Sequence, residues 1–173
     1  MEELLKLLAD LGIPFTRYNH KAVFTCEESE GLAEPIPGAH TKQLLLRSKK
    51  KDRHLLAIVM HDKRVDTKAL AKEWSVQSFS FASPETLLEL LGVTPGSVTP
   101  FGLTHDKGKI IEVIVDKDAW STGLFRFHPM INTATVTIDR EGFEKFLKHT
   151  GHGFTVRSIP QRTEPLETAK ETV

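Results

Sequence analysis

The sequence predicts a single α+β domain with a mixed, largely antiparallel sheet. Its strand-like segments come in hairpin-like groups with helices interspersed, and they do not alternate regularly with helices. No glycine-rich phosphate loop follows the first strand, which disfavours a doubly wound nucleotide-binding fold. With 173 residues, 39% of them hydrophobic and 27% charged, the chain is long enough for one domain with a substantial core. The domain is expected to span residues 1–160, and the polar segment 161–173 is expected to be a disordered tail.

Five helices are predicted from leucine spacing and from capping residues. The clearest follows Ser83, which is a good N-cap, has Pro84 at its first position and ends at Gly92. Another begins with Thr25 and Glu28 in a capping-box pattern. The predicted helices cover 2–11, 25–32, 66–72, 84–91 and 139–149.

The strands are predicted from apolar runs that turn residues separate. Two such runs, 44–46 and 55–60, flank a polar stretch and indicate a β-hairpin. The other predicted strands cover 15–19, 77–81, 110–116, 124–127, 133–138 and 154–158. A loop rich in proline and glycine, 94–102, precedes the strand at 110–116.

The tip of the predicted hairpin is strongly basic. Lys+Arg and Asp+Glu both number 23, so the net charge is zero and a wholly basic nucleic-acid coat is disfavoured, but a local patch is possible. Such a patch attracts phosphate in a salt-dependent way. The alternative is a hairpin tip whose lysines are simply solvated. The basic residues are Arg47, Lys49, Lys50, Lys51 and Arg53.

The cysteine and histidine content bounds the chemistry. Cys26 is the single cysteine, so no internal disulfide can form, and a reducing compartment, by default the cytoplasm, is expected. Its thiol is interpreted as a core group and not as a nucleophile. His149 and His152 form a close pair, but no Cys-x-x-Cys or His-Glu-x-x-His pattern occurs, so we expect no metal and no cofactor. No apolar run approaches the roughly 20 residues that span a bilayer, and no membrane partner is expected.

The segment after the strand 124–127 is the most informative one for function. Pro129 fixes its own φ angle and restricts the residue before it, so the imidazole of His128 lies at a rigid corner. Asn132 and Thr133 follow with side chains that donate and accept hydrogen bonds. This pattern suits a small pocket for a polar ligand. The alternative is a strand–turn–strand corner whose histidine only finds a backbone partner.

Three segments together resemble a known family. They are Thr41-Lys42-Gln43-Leu44-Leu45-Leu46, the loop Gly96-Ser97-Val98-Thr99-Pro100, and His128-Pro129 followed by Asn132-Thr133-Ala134-Thr135. They resemble, in order and over roughly 1–160, the segments of the YbaK-like aminoacyl-tRNA editing domains. The nearest group is the freestanding deacylases that remove alanine from proline tRNA. One departure is Gln43, where that family has asparagine.

The resemblance implies a fold, an activity and a set of site residues. The fold would be a barrel-like sheet surrounded by helices. The activity would be hydrolysis of the ester that joins alanine to the acceptor end of proline tRNA, with prolyl-tRNA synthetase or elongation factor as further candidate partners. Lys42 and His128 would be catalytic. The substrate-binding residues would be Gln43, Gly96, Ser97, Val98, Thr99, Pro100, Phe101, Asn132 and Thr133, and the basic hairpin tip would bind the tRNA.

The roles of individual residues stay open at this level. Lys42 would grip the terminal phosphate or polarise the ester carbonyl, or it is an ordinary surface lysine. His128 would be a general base, a group that orients the ribose, or part of the pocket wall. The chain would alternatively remove another residue, such as cysteine, from proline tRNA. A further alternative is a non-catalytic module that binds tRNA ends or a synthetase.

Overall fold

A computed structural model describes residues 1–22 and 35–162. The described helices are α1 (Glu2–Asp10), α2 (Thr67–Glu73), α3 (Pro84–Leu91), α4 (Lys117–Ser121) and α5 (Arg140–Thr150), with a 3-10 helix at Pro100–Thr104. The described strands are β1 (Phe15–Asn19), β2 (Thr41–Ser48), β3 (His54–Met60), β4 (Phe79–Phe81), β5 (Ile111–Asp116), β6 (Leu124–Phe127), β7 (Ala134–Asp139) and β8 (Phe154–Arg157).

The strands form two sheets. The smaller sheet has the order β1-β7-β6 and the larger has the order β4-β2-β3-β5-β8. Only β3–β5 and β5–β8 pair in parallel among the described strands, which confirms the mixed, largely antiparallel α+β prediction. The barrel-like sheet expected from the resemblance is not a closed barrel: within residues 1–22 and 35–162 the strands form two sheets. Strand pairs such as β1–β7 join residues more than a hundred positions apart, which local sequence patterns do not reveal.

A short segment before β2 joins the two sheets. The N–H of Ala39 donates to Leu124 O (2.7 Å), and the hydroxyl of Thr41 donates to Arg126 O (3.3 Å). In the other direction, Nε of Arg126 donates to Pro37 O (3.3 Å). The start of β2 is therefore held against β6, across the boundary between the sheets.

Two hydrophobic cores lie on the two faces of the larger sheet. The first core fills the space between the two sheets and α1, α3 and α5, and Phe125, Phe127, Phe143 and Phe146 in it are almost fully buried. The second core lies between the larger sheet and α2. Successive residues of β2 alternate between these cores, as a strand requires: Leu45 belongs to the first and Leu44 to the second.

Most predicted helix ends are confirmed by their caps. Ser83 accepts a hydrogen bond from the N–H of Thr86, and Gly92 ends α3 with a left-handed φ of 66°. Asp66 caps α2 in the same way, and Gly151 ends α5 in the left-handed conformation. The sequence reasoning missed α4, which has only five residues, and it missed the 3-10 helix, which overlaps the end of the predicted loop.

Each of the two tryptophan rings packs against an arginine. The guanidinium of Arg157 lies 4.6 Å from the centre of the Trp74 ring, and that of Arg140 lies 4.8 Å from the Trp120 ring. Within residues 1–22 and 35–162, no helix has the length and apolar character to cross a membrane.

Some predictions fall outside the described residues. The predicted helix 25–32, with Thr25, Cys26 and Glu28, lies there, as does the segment 163–173 of the predicted tail. The two residues before that segment pack on the domain: Gln161 pairs with Val65, and the N–H of Arg162 donates to Arg64 O (2.9 Å).

Candidate active site

Lys42 and its neighbours begin β2 at the boundary between the sheets. Lys42 is 8% exposed and lies opposite Val59 in an unbroken antiparallel register, on the face of the second core. Thr41 and Gln43 lie on the other face, where Nε2 of Gln43 donates to the Thr41 hydroxyl (2.8 Å). The longer amide at position 43 therefore supports Thr41, which in turn donates to Arg126 O.

The predicted substrate loop is compact and mostly buried. Gly96 has a φ of 85°, a conformation that favours glycine, and Thr99 caps the 3-10 helix by accepting from the N–H of Phe101 (3.3 Å). The side chains of residues 97–101 are buried. Within the described part of the chain, the N–H groups of Val98 and Thr99 have no hydrogen-bond partner.

His128 lies at the predicted corner after β6, with one ring nitrogen engaged. Its Nδ1 is 3.0 Å from Ala134 O, and because a carbonyl can only accept, Nδ1 carries the proton in the neutral ring. Nε2 then keeps its lone pair, and it has no partner within residues 1–22 and 35–162. Burial lowers the pKa of His128 further than the bond to Ala134 O raises it, and the nearby His20 also lowers it. The ring is therefore held neutral with an available acceptor.

His20 accompanies His128 and was missed by the sequence reasoning. Its ring centre lies 6.2 Å from that of His128. Its Nδ1 donates to Lys21 O (2.8 Å), so its Nε2 accepts from the hydroxyl of Thr135 (2.9 Å). The contact joins residues 115 positions apart, and no local motif around position 20 signals it.

The turn between β6 and β7 holds the other predicted polar residues. Asn132 is half-buried and Thr133 is exposed. It is the backbone carbonyl of Thr133 that accepts the N–H of His20 (3.0 Å). Met130 has a positive φ of 67°, a strained conformation for a residue with a side chain.

The three segments that carry the resemblance meet around the end of β6. Thr41, beside Lys42, contacts Arg126, two residues before His128. The ring of Phe101, at the end of the substrate loop, lies 5.8 Å edge-on from Phe127, directly before His128. That Lys42, the loop and His128 open into one cavity stays a prediction.

The basic hairpin tip lies at the other end of β2. The hairpin itself is confirmed, since Arg47 pairs with His54 next to the turn. Lys49, Lys50 and Lys51 are exposed. The two arginines have partners within the protein: Arg53 forms an ion pair with Glu112 (2.6 Å), and Arg47 donates to the hydroxyl of Thr86 (3.4 Å).

The two histidines at 149 and 152 lie in different environments. His152 is buried, and its Nε2 lies 3.0 Å from the carboxylate of Asp106 while its Nδ1 lies 2.9 Å from the Thr150 hydroxyl. Asp106 also accepts the N–H groups of Ile110 (3.2 Å) and Ile111 (2.9 Å). Burial opposes ionisation of Asp106, but these bonds outweigh it and lower its pKa. His149 is exposed.

Comparison with known proteins identifies the family. The model of the aminoacyl-tRNA editing domain matches residues 20–146. The prolyl-tRNA synthetase associated domain-containing protein 1 of Xenopus laevis is 38% identical over 155 residues, which cover 87% of this chain and 92% of that protein. The prolyl-tRNA editing protein ProX of Acetoanaerobium sticklandii is 33% identical over 153 residues, which cover 88% and 93%.

A more distant relative and a solved structure extend this result. The multifunctional Ser/Thr-tRNA deacylase ProXp-y of Escherichia coli is 31% identical over 112 residues, which cover 64% of this chain and 66% of that protein. The crystal structure of a candidate trans-editing enzyme for prolyl tRNA synthetase shares the fold, with a TM-score of 0.68, 18% identity and coverage of 93% and 94%. The chain therefore belongs to the aminoacyl-tRNA editing domain family, in its YbaK/ProX-like group.

Proposed function

We propose that the protein is an aminoacyl-tRNA deacylase that hydrolyses the ester of alanine mischarged onto proline tRNA. The observation that carries this proposal is the match, over more than four fifths of the chain, to relatives named for prolyl-tRNA editing and for association with prolyl-tRNA synthetase. The segments that carry the resemblance also lie around one end of β6.

The chemistry asks little of a nucleophile. An aminoacyl ester is already activated, so the site has to place the ester, stabilise the charge that develops on its carbonyl oxygen and admit one water. We assign the charge stabilisation to the substrate loop, where the N–H groups of Val98 and Thr99 have no partner among the described residues. Gly96 allows the backbone to approach the ester closely.

His128 fits the role of a fixed acceptor. Its neutral ring presents the Nε2 lone pair, and the Ala134 carbonyl holds its orientation. In the proposed complex it accepts a hydrogen bond from a ribose hydroxyl or from the attacking water. Asn132 and Thr133, just before Ala134, would bind the substrate amino group or the attacking water.

Lys42 supplies the positive charge of the proposed site. It is largely buried at the start of β2, one residue from the contact between Thr41 and Arg126. We propose that its ammonium binds the terminal phosphate of the tRNA or the carbonyl oxygen of the ester. Because Lys42 and Gln43 lie on opposite faces of β2, Gln43 acts through Thr41 and is not a direct partner of Lys42.

Selectivity follows from size. Alanine is smaller than proline, so the aminoacylation site of the synthetase, which is built for proline, rejects alanine only weakly. A missing methylene changes the binding free energy by only about 1–3 kcal/mol. A narrow second site that admits alanine and excludes proline corrects the error. We propose the acceptor end of proline tRNA as the partner. The tRNA is delivered by prolyl-tRNA synthetase or taken up in competition with elongation factor.

Specific observations favour two alternatives. The relative named for Ser/Thr-tRNA deacylation points to serine or threonine as the residue removed, and cysteine on proline tRNA remains a further candidate. The relatives named as synthetase-associated point to a binding module without turnover. Side-by-side rates on alanyl-, seryl-, threonyl- and cysteinyl-tRNA separate the substrates.

The test is deacylation of alanyl-tRNA that carries the proline acceptor end, by the wild type and by Lys42→Ala. We expect a rate loss of about 100-fold or more, since a charge at the reacting ester is removed. Lys145→Ala, at an exposed lysine on α5, is the control and should keep the wild-type rate. Turnover that a chelator leaves intact is also expected. A folded wild type without turnover on any of the four substrates would leave the binding module as the correct account.

A further inference from the structure

We propose that Lys107, Lys109 and His149 line a cleft that binds phosphates of an RNA backbone. The cleft has a volume of about 180 Å³ and is lined by Leu103, Thr104, Asp106, Lys107, Lys109, His149 and Thr150. Two lysines and one histidine therefore surround it, whereas its two threonine hydroxyls already donate to Phe101 O and Leu147 O. Lysine is one of the residues that proteins use most on phosphate oxygens.

The basic groups of the cleft are available to a ligand. Lys107, Lys109 and His149 are exposed. Their side chains form no hydrogen bond or ion pair within residues 1–22 and 35–162. The acidic lining residue does not cancel them, because the carboxylate of Asp106 is buried and engaged with His152, Ile110 and Ile111. Glu112, the next acidic residue along the chain, is paired with Arg53.

The backbone holds Lys109 in place over the cleft. Lys109 has a φ of 52°, a left-handed conformation that is strained for a lysine. Its ammonium lies close to the backbone of Gly151 at the end of α5, where an added Cβ would be only 2.4 Å away. Gly151 itself has a left-handed φ of 77°. The glycine therefore serves both the helix end and the position of the Lys109 side chain.

The cleft lies at the same end of the larger sheet as the hairpin tip. Arg47 pairs with His54, and His54 pairs with Ile111, two residues after Lys109. Exposed lysines of the hairpin tip and of the cleft thus border one end of β2, β3 and β5. Lys107 and Lys109 therefore form a second group of basic residues beside the hairpin tip, and the sequence did not reveal this group.

The spacing suits the duplex part of an acceptor stem. Ser48, at the hairpin tip, is six residues along β2 from Lys42, which is roughly 20 Å at about 3.3 Å per residue. A tRNA carries its amino acid on a short single-stranded 3′ end, so its duplex phosphates lie at some distance from the ester. That the RNA is a tRNA rests on the proposed function, whereas phosphate binding by the cleft does not.

The test measures binding of uncharged proline tRNA by anisotropy across a series of salt concentrations. The variants are the wild type, Lys107→Ala/Lys109→Ala, and a charge-matched control, Lys6→Ala/Lys145→Ala, whose exposed lysines lie on α1 and at the middle of α5. We expect the cleft variant to bind more weakly and to lose about 2 from the slope of log K against log salt, about 1 per phosphate contact. The control should keep the wild-type slope, and all three should unfold at similar temperatures.

Several results would overturn the proposal. One is an equal loss of slope in the cleft variant and the control, and another is no loss in the cleft variant. Saturable binding of inorganic phosphate that the cleft variant loses, together with an unchanged RNA slope in that variant, would show a small-anion site instead. A wild type that binds tRNA through the cleft without deacylating it would refute the proposed function alone, and deacylation with an unchanged slope in the cleft variant would refute the cleft alone.

Discussion

His128 and His152 are both held in polar surroundings, but their partners differ. His152 has a hydroxyl on one nitrogen and the buried carboxylate of Asp106 on the other, so both ring nitrogens are engaged. His128 has a neutral carbonyl on Nδ1 and, within the described residues, nothing on Nε2. The difference indicates that His152 stabilises the fold through its partners, whereas Nε2 of His128 is available to a ligand.

The largest expected effect is on stability, at the His152 cluster. Asp106→Ala removes the partner of His152 and of two N–H groups at the start of β5. Leaving such buried groups without partners should reduce the free energy of unfolding by about 3–5 kcal/mol. Urea unfolding followed by circular dichroism measures this.

The matched variant at this cluster is Asp106→Asn, which keeps an acceptor oxygen and should recover part of the loss. A loss below about 1 kcal/mol in Asp106→Ala would mean that the cluster is not a structural support. The structural role assigned to His152 would then be wrong.

A smaller effect, on the deacylation rate, is expected at the hydroxyl of Thr135, which donates to His20 beside His128. Thr135→Val is nearly isosteric and removes the donor to Nε2 of His20, so one hydrogen bond worth about 1 kcal/mol is lost. We expect a rate of alanyl-tRNA deacylation lower by a few-fold up to about tenfold, in a protein that stays folded. Thr137→Val, on the same strand, is the control, since its hydroxyl donates only at 3.5 Å to Thr16 O. Equal rates for the two variants would remove His20 from the site.

The smallest effect is on the pH dependence of stability. Burial lowers the pKa of His128 in the folded state, so the unfolded chain binds its proton first as the pH falls. The stabilising contribution is therefore fully present above about pH 6.5 and is lost as the pH falls through the lower folded-state pKa. His128→Gln should flatten the fall of the unfolding free energy below about pH 6.5. The fall should not vanish, because burial also lowers the pKa of His54. An unchanged pH profile would show that the His128 ring is not held neutral.

The sequence predicted local structure better than it predicted partners. Ser83, Pro84 and Gly92 define α3 because a helix end is read from adjacent residues. The bond between His152 and Asp106 spans 46 positions and that between His20 and Thr135 spans 115, so neither follows from a local pattern. The separation of the strands into two sheets was missed for the same reason. His128, Lys42 and the loop at 96–100 are predicted site residues because of their family resemblance, while the proposal for the cleft at Lys107 and Lys109 needed the folded chain.

The most direct test compares His128 with Asp106, the carboxylate partner of His152, in one assay. The rate of alanyl-tRNA deacylation is measured for the wild type, His128→Gln and Asp106→Asn, at a temperature where all three are folded. We predict that His128→Gln loses about 100-fold or more, as expected for a residue at the reacting groups, and that Asp106→Asn keeps a rate close to that of the wild type. A wild-type rate in His128→Gln, with a large loss in Asp106→Asn, would contradict the assignment of His128 to the active site and of the His152–Asp106 pair to structural support.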